Sequence, residues 1–133
     1  MFKFFLLVIL LFRIFLFIIP GLHIDIVNWE GWAERLNSVG FSNFYSTGFS
    51  DYFPGYLYML WAMEKLFINL PFEILVKSVT TVFDIGTSYY VYKIVFRYKP
   101  AFAKMSAIFY FANPALIFNS SVWGQIDGIM TFF

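Results

Sequence analysis

The sequence predicts an all-α protein: a polytopic bundle of transmembrane helices with interfacial, juxtamembrane helices in its first outer loop. Three observations predict it. The composition is that of a membrane protein, with 61% hydrophobic, 25% aromatic and only 13% charged residues and a mean hydropathy of +0.74. A water-soluble domain is about half apolar and a quarter charged. Apolar runs of helical length recur along the chain, and twenty phenylalanines exceed what a soluble core of 133 residues would hide. Finally, the basic residues gather at points that one topology places on a single side of a membrane. Several chemistries are excluded at this level. A net charge of +1 gives no footprint for a nucleic-acid partner. The absence of cysteine rules out disulfides, thiol catalysis and thiolate metal sites, and a single histidine, His23, rules out a multi-histidine metal centre.

The first span is expected over 2–20. Its nearly unbroken apolar run has about the 18–20 residues that cross the hydrocarbon of a bilayer. A signal peptide would also begin with a basic residue such as Lys3, but no small-x-small cleavage site follows, and Pro20-Gly21 leads into polar aromatic sequence. Arg13 interrupts the run. A cation there is costly; functional use and simple packing or snorkelling are both open readings. Residues 21–72 form the first outer loop. Asn28 and its neighbours are suited to cap a helix over 29–39 that Gly40 ends, and Pro54-Gly55 opens another over 55–69 that Pro71 stops. At about 15 residues the latter suits the interface better than a crossing.

A second span is expected over 73–96, about 36 Å at 1.5 Å per residue. A cytoplasmic loop over 97–104, a return span over 105–118, an outer loop over 119–127 and the start of another span over 128–133 complete the chain. Lys3 and the cluster Lys93, Arg97, Lys99 and Lys104 then fall inside the cell, and residues 22–73 fall outside. That outer stretch carries Asp25, Glu30, Glu34, Asp51, Glu64 and Glu73 against Arg35 and Lys65. The chain stops within an apolar segment, Met130-Thr131-Phe132-Phe133. An N-terminal part of a longer protein is expected, inactive by itself; a small protein that ends there is the alternative.

Polar and aromatic strings mark the outer face: Asp51-Tyr52-Phe53-Pro54-Gly55-Tyr56, Asn113-Pro114 to Asn119, and Trp123-Gly124-Gln125-Ile126-Asp127, joined by Asp25. Within 73–96 the polar residues are Lys77, Ser78, Thr80, Thr81, Asp84, Thr87 and Ser88; of these, Lys77, Thr80 or Thr81, Asp84, and Thr87 or Ser88 recur at three- and four-residue steps and share one helix face. That face suits either the lining of a lipid-phosphate or sugar site, with Lys77 toward its outer end, or polar glue between helices. Tyr89, Tyr90 and Tyr92 fit an interfacial belt. Asn119-Ser120-Ser121 matches a glycosylation triplet, a pattern common by chance. Gly124 and Gly128 have small-xxx-small spacing over a stretch too short to carry weight. No nucleotide-binding glycine loop is present.

In their order and spacing these motifs resemble the GT-C class of integral-membrane glycosyltransferases. The strongest resemblance is to prokaryotic mannosyltransferases related to the enzyme that adds the second mannose of GPI anchors. Dolichol-linked glucosyltransferases and protein O-mannosyltransferases are more distant. Asp25 with Trp29 and Trp32, Phe44-Tyr45, the string from Asp51 to Tyr58, Lys77 and Asp84, Asn113-Pro114-Ala115 and the run from Asn119 to Asp127 carry the resemblance. Phe53 departs from it, standing where that family usually has the first of two prolines.

The resemblance implies a GT-C bundle that transfers a hexose, mannose in the first instance, from a polyprenyl-phosphate-sugar donor to a glycan, lipid or protein acceptor at the outer face. It implies Asp25 as general base. A hydroxyl nucleophile needs a base within hydrogen-bond reach, and a lipid-phosphate leaving group needs cationic or hydrogen-bonding support, for which Lys77 is the candidate. Asp51, Tyr52, Trp123, Gln125 and Asp127 are the remaining substrate-binding candidates; Trp29 and Trp32 could also stack on a sugar ring. No cofactor is assigned, and a divalent cation is left open because metal use varies in the class. The implied location is the plasma membrane of a prokaryote or the endoplasmic reticulum of a eukaryote. Two other functions fit the residues: a transporter or flippase with Lys77 and Asp84 on its path, and a non-catalytic membrane assembly subunit.

Overall fold

The computed structural model describes residues 1–47, 50, 52–66 and 69–133. Among them every regular element is helical and no strand occurs. The chain divides into two units, Met1–Gly21 with Lys77–Phe133, and Leu22–Val76.

In the first unit, α1 (Phe2–Leu16) tightens at its end. The amides of Phe17, Ile18 and Ile19 bond three residues back, to Ile14, Phe15 and Leu16. Helical winding therefore reaches Ile19, and Pro20, which cannot donate, follows. The only buried residue of α1 is Arg13. Its large apolar side chains lie open instead, among them Phe4, Leu7, Leu11 and Phe15.

The long helix α5 (Phe72–Tyr98) begins after Pro71, whose carbonyl accepts from the Ile74 and Leu75 amides, and runs on into this unit. Here too the usual order is inverted. Lys77, Thr80, Thr81, Asp84, Thr87 and Ser88 are buried, while Val82, Ile85, Tyr89 and Ile94 are exposed. The one-face reading of the polar stripe is thus matched by its burial.

The expected cytoplasmic loop over 97–104 is reduced to Lys99, because α6 (Pro100–Phe111) starts at once with proline in its first turn. The expected return span over 105–118 is broken. Helix α6 stops at Phe111, and α7 (Pro114–Ile117) starts afresh, its N-cap Asn113 accepting from the Ala115 amide at 2.9 Å. A wide π-type turn, Phe118–Trp123, follows and closes on Gly124, whose φ of 84° is left-handed and suits glycine. Helix α8 (Asp127–Phe132) completes the unit. Helix α1 packs on α6 and on the π turn, and α8 on the π turn. Two glycines permit close approach. A Cβ on Gly86 would meet the Phe132 ring at 2.5 Å, and one on Gly128 would meet Asp84 Oδ1 at 2.5 Å.

No single described helix is long and apolar enough to cross a membrane. Helix α1 is apolar but has 15 residues; α5 has 27 but carries Glu73, Lys77, Asp84, Lys93 and Arg97. Pro100–Phe111 together with Pro114–Trp123, bent by 42°, has the length and composition as a pair.

The second unit is ordered conventionally. Helix α2 (His23–Val39) starts six residues before the expected helix over 29–39. Its N-cap is Leu22 without a side-chain bond, and Asn28 is an exposed interior residue rather than a cap. Ile26, Trp29, Ala33 and Leu36 make its buried stripe at three- and four-residue steps. Gly40, at φ 74°, ends it. A short helix α3 (Phe41–Phe44) and a 3-10 turn (Tyr45–Thr47) lead on. Helix α4 (Pro54–Leu66) buries Tyr56, Leu57, Leu60 and Met63 and packs on α2. Asn37 ties the two together by donating to Glu64 Oε2.

Candidate functional site

The residues singled out in the sequence fall in both units. In Leu22–Val76, Asp25 lies half-buried in the first turn of α2, where the exposed amides of a helix start favour a carboxylate. Its charge acts on Tyr56, one of four aromatic rings that cluster in this unit. Trp29 meets Tyr56 edge-on at 5.8 Å between centroids, Tyr52 lies 5.7 Å from Tyr56, and Trp32 lies 4.8 Å from Tyr52. The helical spacing of Trp29 and Trp32 presents them to α4 and to the string that precedes it. The Tyr45 hydroxyl donates to the Tyr52 carbonyl at 2.6 Å and fixes that string.

Tyr56 is buried, and its hydroxyl finds no hydrogen-bond partner among the described residues. Burial, then the neighbouring Tyr52 and then Asp25 push its pKa well above the usual tyrosine value. Tyr56 therefore stays protonated and keeps a proton to donate. It was quoted in the sequence only as part of a string. Its spacing to Trp29 is a tertiary fact, and no local pattern assigns it a role. Asp51 lies outside the described residues.

In the other unit the predicted residues divide. Asn119, Trp123, Gln125 and Asp127 are organised around the π turn. The Asn119 carbonyl accepts from the Gly124 and Gln125 amides at 3.0 and 2.9 Å, and its side-chain amide donates to Asp127 Oδ2 at 3.1 Å. Trp123 and Asn119 line a cleft of about 430 Å³ with Tyr110, Asn113 and Phe118. A carboxylate, an amide and an indole are thus held together by one turn, a set able to accept and donate hydrogen bonds to hydroxyls beside a stacking face. Asn119 is the organising residue, and the glycosylation triplet is tied up in the fold: Ser120 and Ser121 are fully buried.

Lys77 is fully buried, and its ammonium donates to the carbonyls of Ile19 at 2.5 Å and Phe17 at 3.3 Å. It thereby satisfies carbonyls that the end of α1 leaves without helical partners. Asp84 is engaged by Arg13, with neither side chain exposed. Arg13 Nε also donates to Ser121 Oγ at 2.9 Å, its guanidinium lies 4.5 Å from the centre of the Phe111 ring, and Ser120 adjoins Asp84. Of the two readings open for Asp84 and Arg13, the geometry favours packing: each is the other's charge partner. Gly128, set aside in the sequence as too short a signal, is what lets α8 approach this pair.

Among the described residues no group of three or more histidine, aspartate or glutamate side chains is placed to hold a metal ion. No protein-family model, no curated protein and no solved structure matches the chain.

Proposed function

We propose that this chain is part of a membrane-embedded glycosyltransferase of GT-C type, taking a hexose, mannose in the first instance, from a polyprenyl-phosphate sugar at the outer membrane face. The observation that carries the reading is that Asp25 acts on Tyr56, whose ring is clustered with those of Trp29, Tyr52 and Trp32. A carboxylate beside aromatic faces is what an acceptor sugar hydroxyl needs: a base within reach and a platform for the ring. The buried Tyr56 hydroxyl adds a donor to orient that hydroxyl or its neighbour. In this reading Asp25 removes the acceptor proton as the hydroxyl oxygen bonds to the anomeric carbon, and the lipid phosphate departs with the bonding electrons. The Asn119, Trp123 and Asp127 cluster is a second polar and aromatic group suited to sugar, with Gln125 beside it.

Membrane placement is supported by the inverted burial of α1 and α5, since polar inside and apolar outside suits lipid as solvent. The transporter reading loses its main support, because Asp84 is already paired with Arg13 and Lys77 already serves backbone carbonyls.

The test is transfer of label from polyprenyl-phosphate-mannose in membranes expressing the full-length protein, wild type beside Asp25→Asn, with polyprenyl-phosphate-glucose as second donor. Transfer by wild type alone is expected. Equal transfer by the Asp25→Asn variant would remove Asp25 as base, and uptake dependent on Asp84 but not on Asp25 would favour transport.

A further inference from the structure

A second cavity lies in the unit Met1–Gly21 with Lys77–Phe133, where Lys3 and Lys104 come together. It is a groove of about 790 Å³ walled by α1, α5 and α6, within the usual range for small-molecule sites. Its walls are apolar, with Leu6, Leu7 and Leu10 facing Ile85 and Phe111. The charged side chains that line it are both cations: Lys3 and Lys104. No carboxylate is among its described lining residues. Lys3 and Lys104 are exposed. Tyr92 also lines the groove and rests against Phe2 at 6.3 Å, an amphipathic ring of the kind found at headgroup depth.

We propose that this groove binds one molecule of an anionic phospholipid from the cytoplasmic leaflet, its acyl chain between α1, α5 and α6 and its phosphate against Lys3 and Lys104. The argument is charge and shape complementarity. An apolar slot closed at its mouth by cations alone matches a hydrocarbon chain that ends in an anion, and each basic side chain near a headgroup adds roughly 1 kcal/mol of attraction, about a fivefold change in affinity. A zwitterionic lipid offers the same chain without the net charge. The groove shares no residue with the aromatic cluster around Asp25 or with the cleft at Trp123, so this is a site for a resident lipid rather than for the sugar donor. The inference rests on the membrane placement proposed above but not on the reaction.

The test is photolabelling of the full-length protein, purified in detergent, with phosphatidylglycerol carrying a diazirine in its acyl chain, in competition with unlabelled phosphatidylglycerol or phosphatidylcholine. Label is expected on Leu6, Leu7 and Leu10, displaced at lower concentration by phosphatidylglycerol than by phosphatidylcholine. It should fall about fivefold in Lys3→Gln or Lys104→Gln and further in the double variant. Both lysines are exposed, so these variants should fold, and Leu7→Trp, which fills the slot from an exposed position, should also block the label. Equal displacement by the two lipids would overturn the proposal, as would label spread evenly over outward residues such as Phe4, Leu11 and Phe109, or a groove that takes no label because protein covers it. Sugar transfer is not read in this experiment, so failure here and failure of the proposed reaction are separate results.

Discussion

The two units of this chain differ in where their polar side chains lie, although both bury apolar residues, Ala103, Ala107, Phe111, Ile126 and Ile129 in the one that also buries charges. In Leu22–Val76 the interior is Trp29, Ala33, Leu36, Leu57, Leu60 and Met63, and the acids of α2 and α4 face outward or lie only half-buried. In the unit built from α1, the inner length of α5 and α6 to α8, the interior holds Arg13, Lys77, Thr80, Asp84, Ser120 and Ser121, and the outside holds Phe4, Leu11, Phe15, Val82 and Ile94. One rule produces both arrangements once the solvent differs. Water rewards the removal of apolar surface. Hydrocarbon gives no such reward and penalises any polar group left facing it, so polar residues turn inward and pair. Under the proposed reading, lipid surrounds the unit Met1–Gly21 with Lys77–Phe133, and Leu22–Val76 has an aqueous or interfacial setting. It also separates what holds each together: the Arg13–Asp84 pair and the Lys77 bonds to carbonyls lie within one unit, and the other carries Asp25 and a cluster of aromatic rings.

The largest expected effect sharpens this separation of roles. Asp25→Asn should lower sugar transfer by about 10²- to 10⁴-fold, the usual contribution of a general base, with no change in thermal unfolding in detergent. A loss of folding alongside the loss of turnover would make Asp25 a structural residue. Next comes the buried pair. Arg13→Met should destabilise the protein by about 3–5 kcal/mol, because it leaves the Asp84 carboxylate buried and unpaired, and Arg13→Met with Asp84→Leu should cost clearly less than that single change. A double variant as unstable as the single would show that the pair is not what holds these helices.

One chemical change made at two places tests the contrast of solvents itself. Leu57→Ala, at a fully buried position, should cost about 2–5 kcal/mol. Leu11→Ala, at a position 57% exposed, should stay within about 0.5 kcal/mol. Equal costs would mean that α1 is covered by protein rather than by lipid. A loss smaller than that at Leu57 is expected at Gly128. Gly128→Ala would drive a methyl against Asp84 and the Thr80 carbonyl and should cost about 1–3 kcal/mol, measured in the same unfolding assay.

Much of this architecture is legible in the sequence, and the failures have physical causes. The polar face of α5 follows from its three- and four-residue spacing, and the one-residue link at Lys99 is a proline effect that a count of basic residues hides. Asn113-Pro114 is visible as a string, yet the helix break it makes was spread into a span over 105–118 because hydropathy averages across a proline. The start of α2 was misplaced because Asn28 is a good capping residue in the abstract, while the packing of Ile26 and Trp29 draws the helix back to His23. The partner of Asp84 was not legible. Arg13 lies 71 residues away in sequence, and only the packing of α1 brings it there. Tyr56 and Gly128 escaped for the same reason, since each acts through a neighbour that the fold supplies.

The most direct test of the central claim uses the absence of cysteine from these 133 residues, with any cysteine elsewhere in the full-length protein replaced by serine. Single substitutions Glu34→Cys, Leu11→Cys and Lys99→Cys in the full-length protein are treated in intact cells, or in sealed vesicles with the outer face exposed, with a membrane-impermeant maleimide. The account predicts rapid labelling at Glu34→Cys, labelling at Lys99→Cys only after permeabilisation, and none at Leu11→Cys in either state. Labelling of Leu11→Cys as fast as Glu34→Cys in sealed membranes would contradict it, because the apolar face of α1 would then be meeting water.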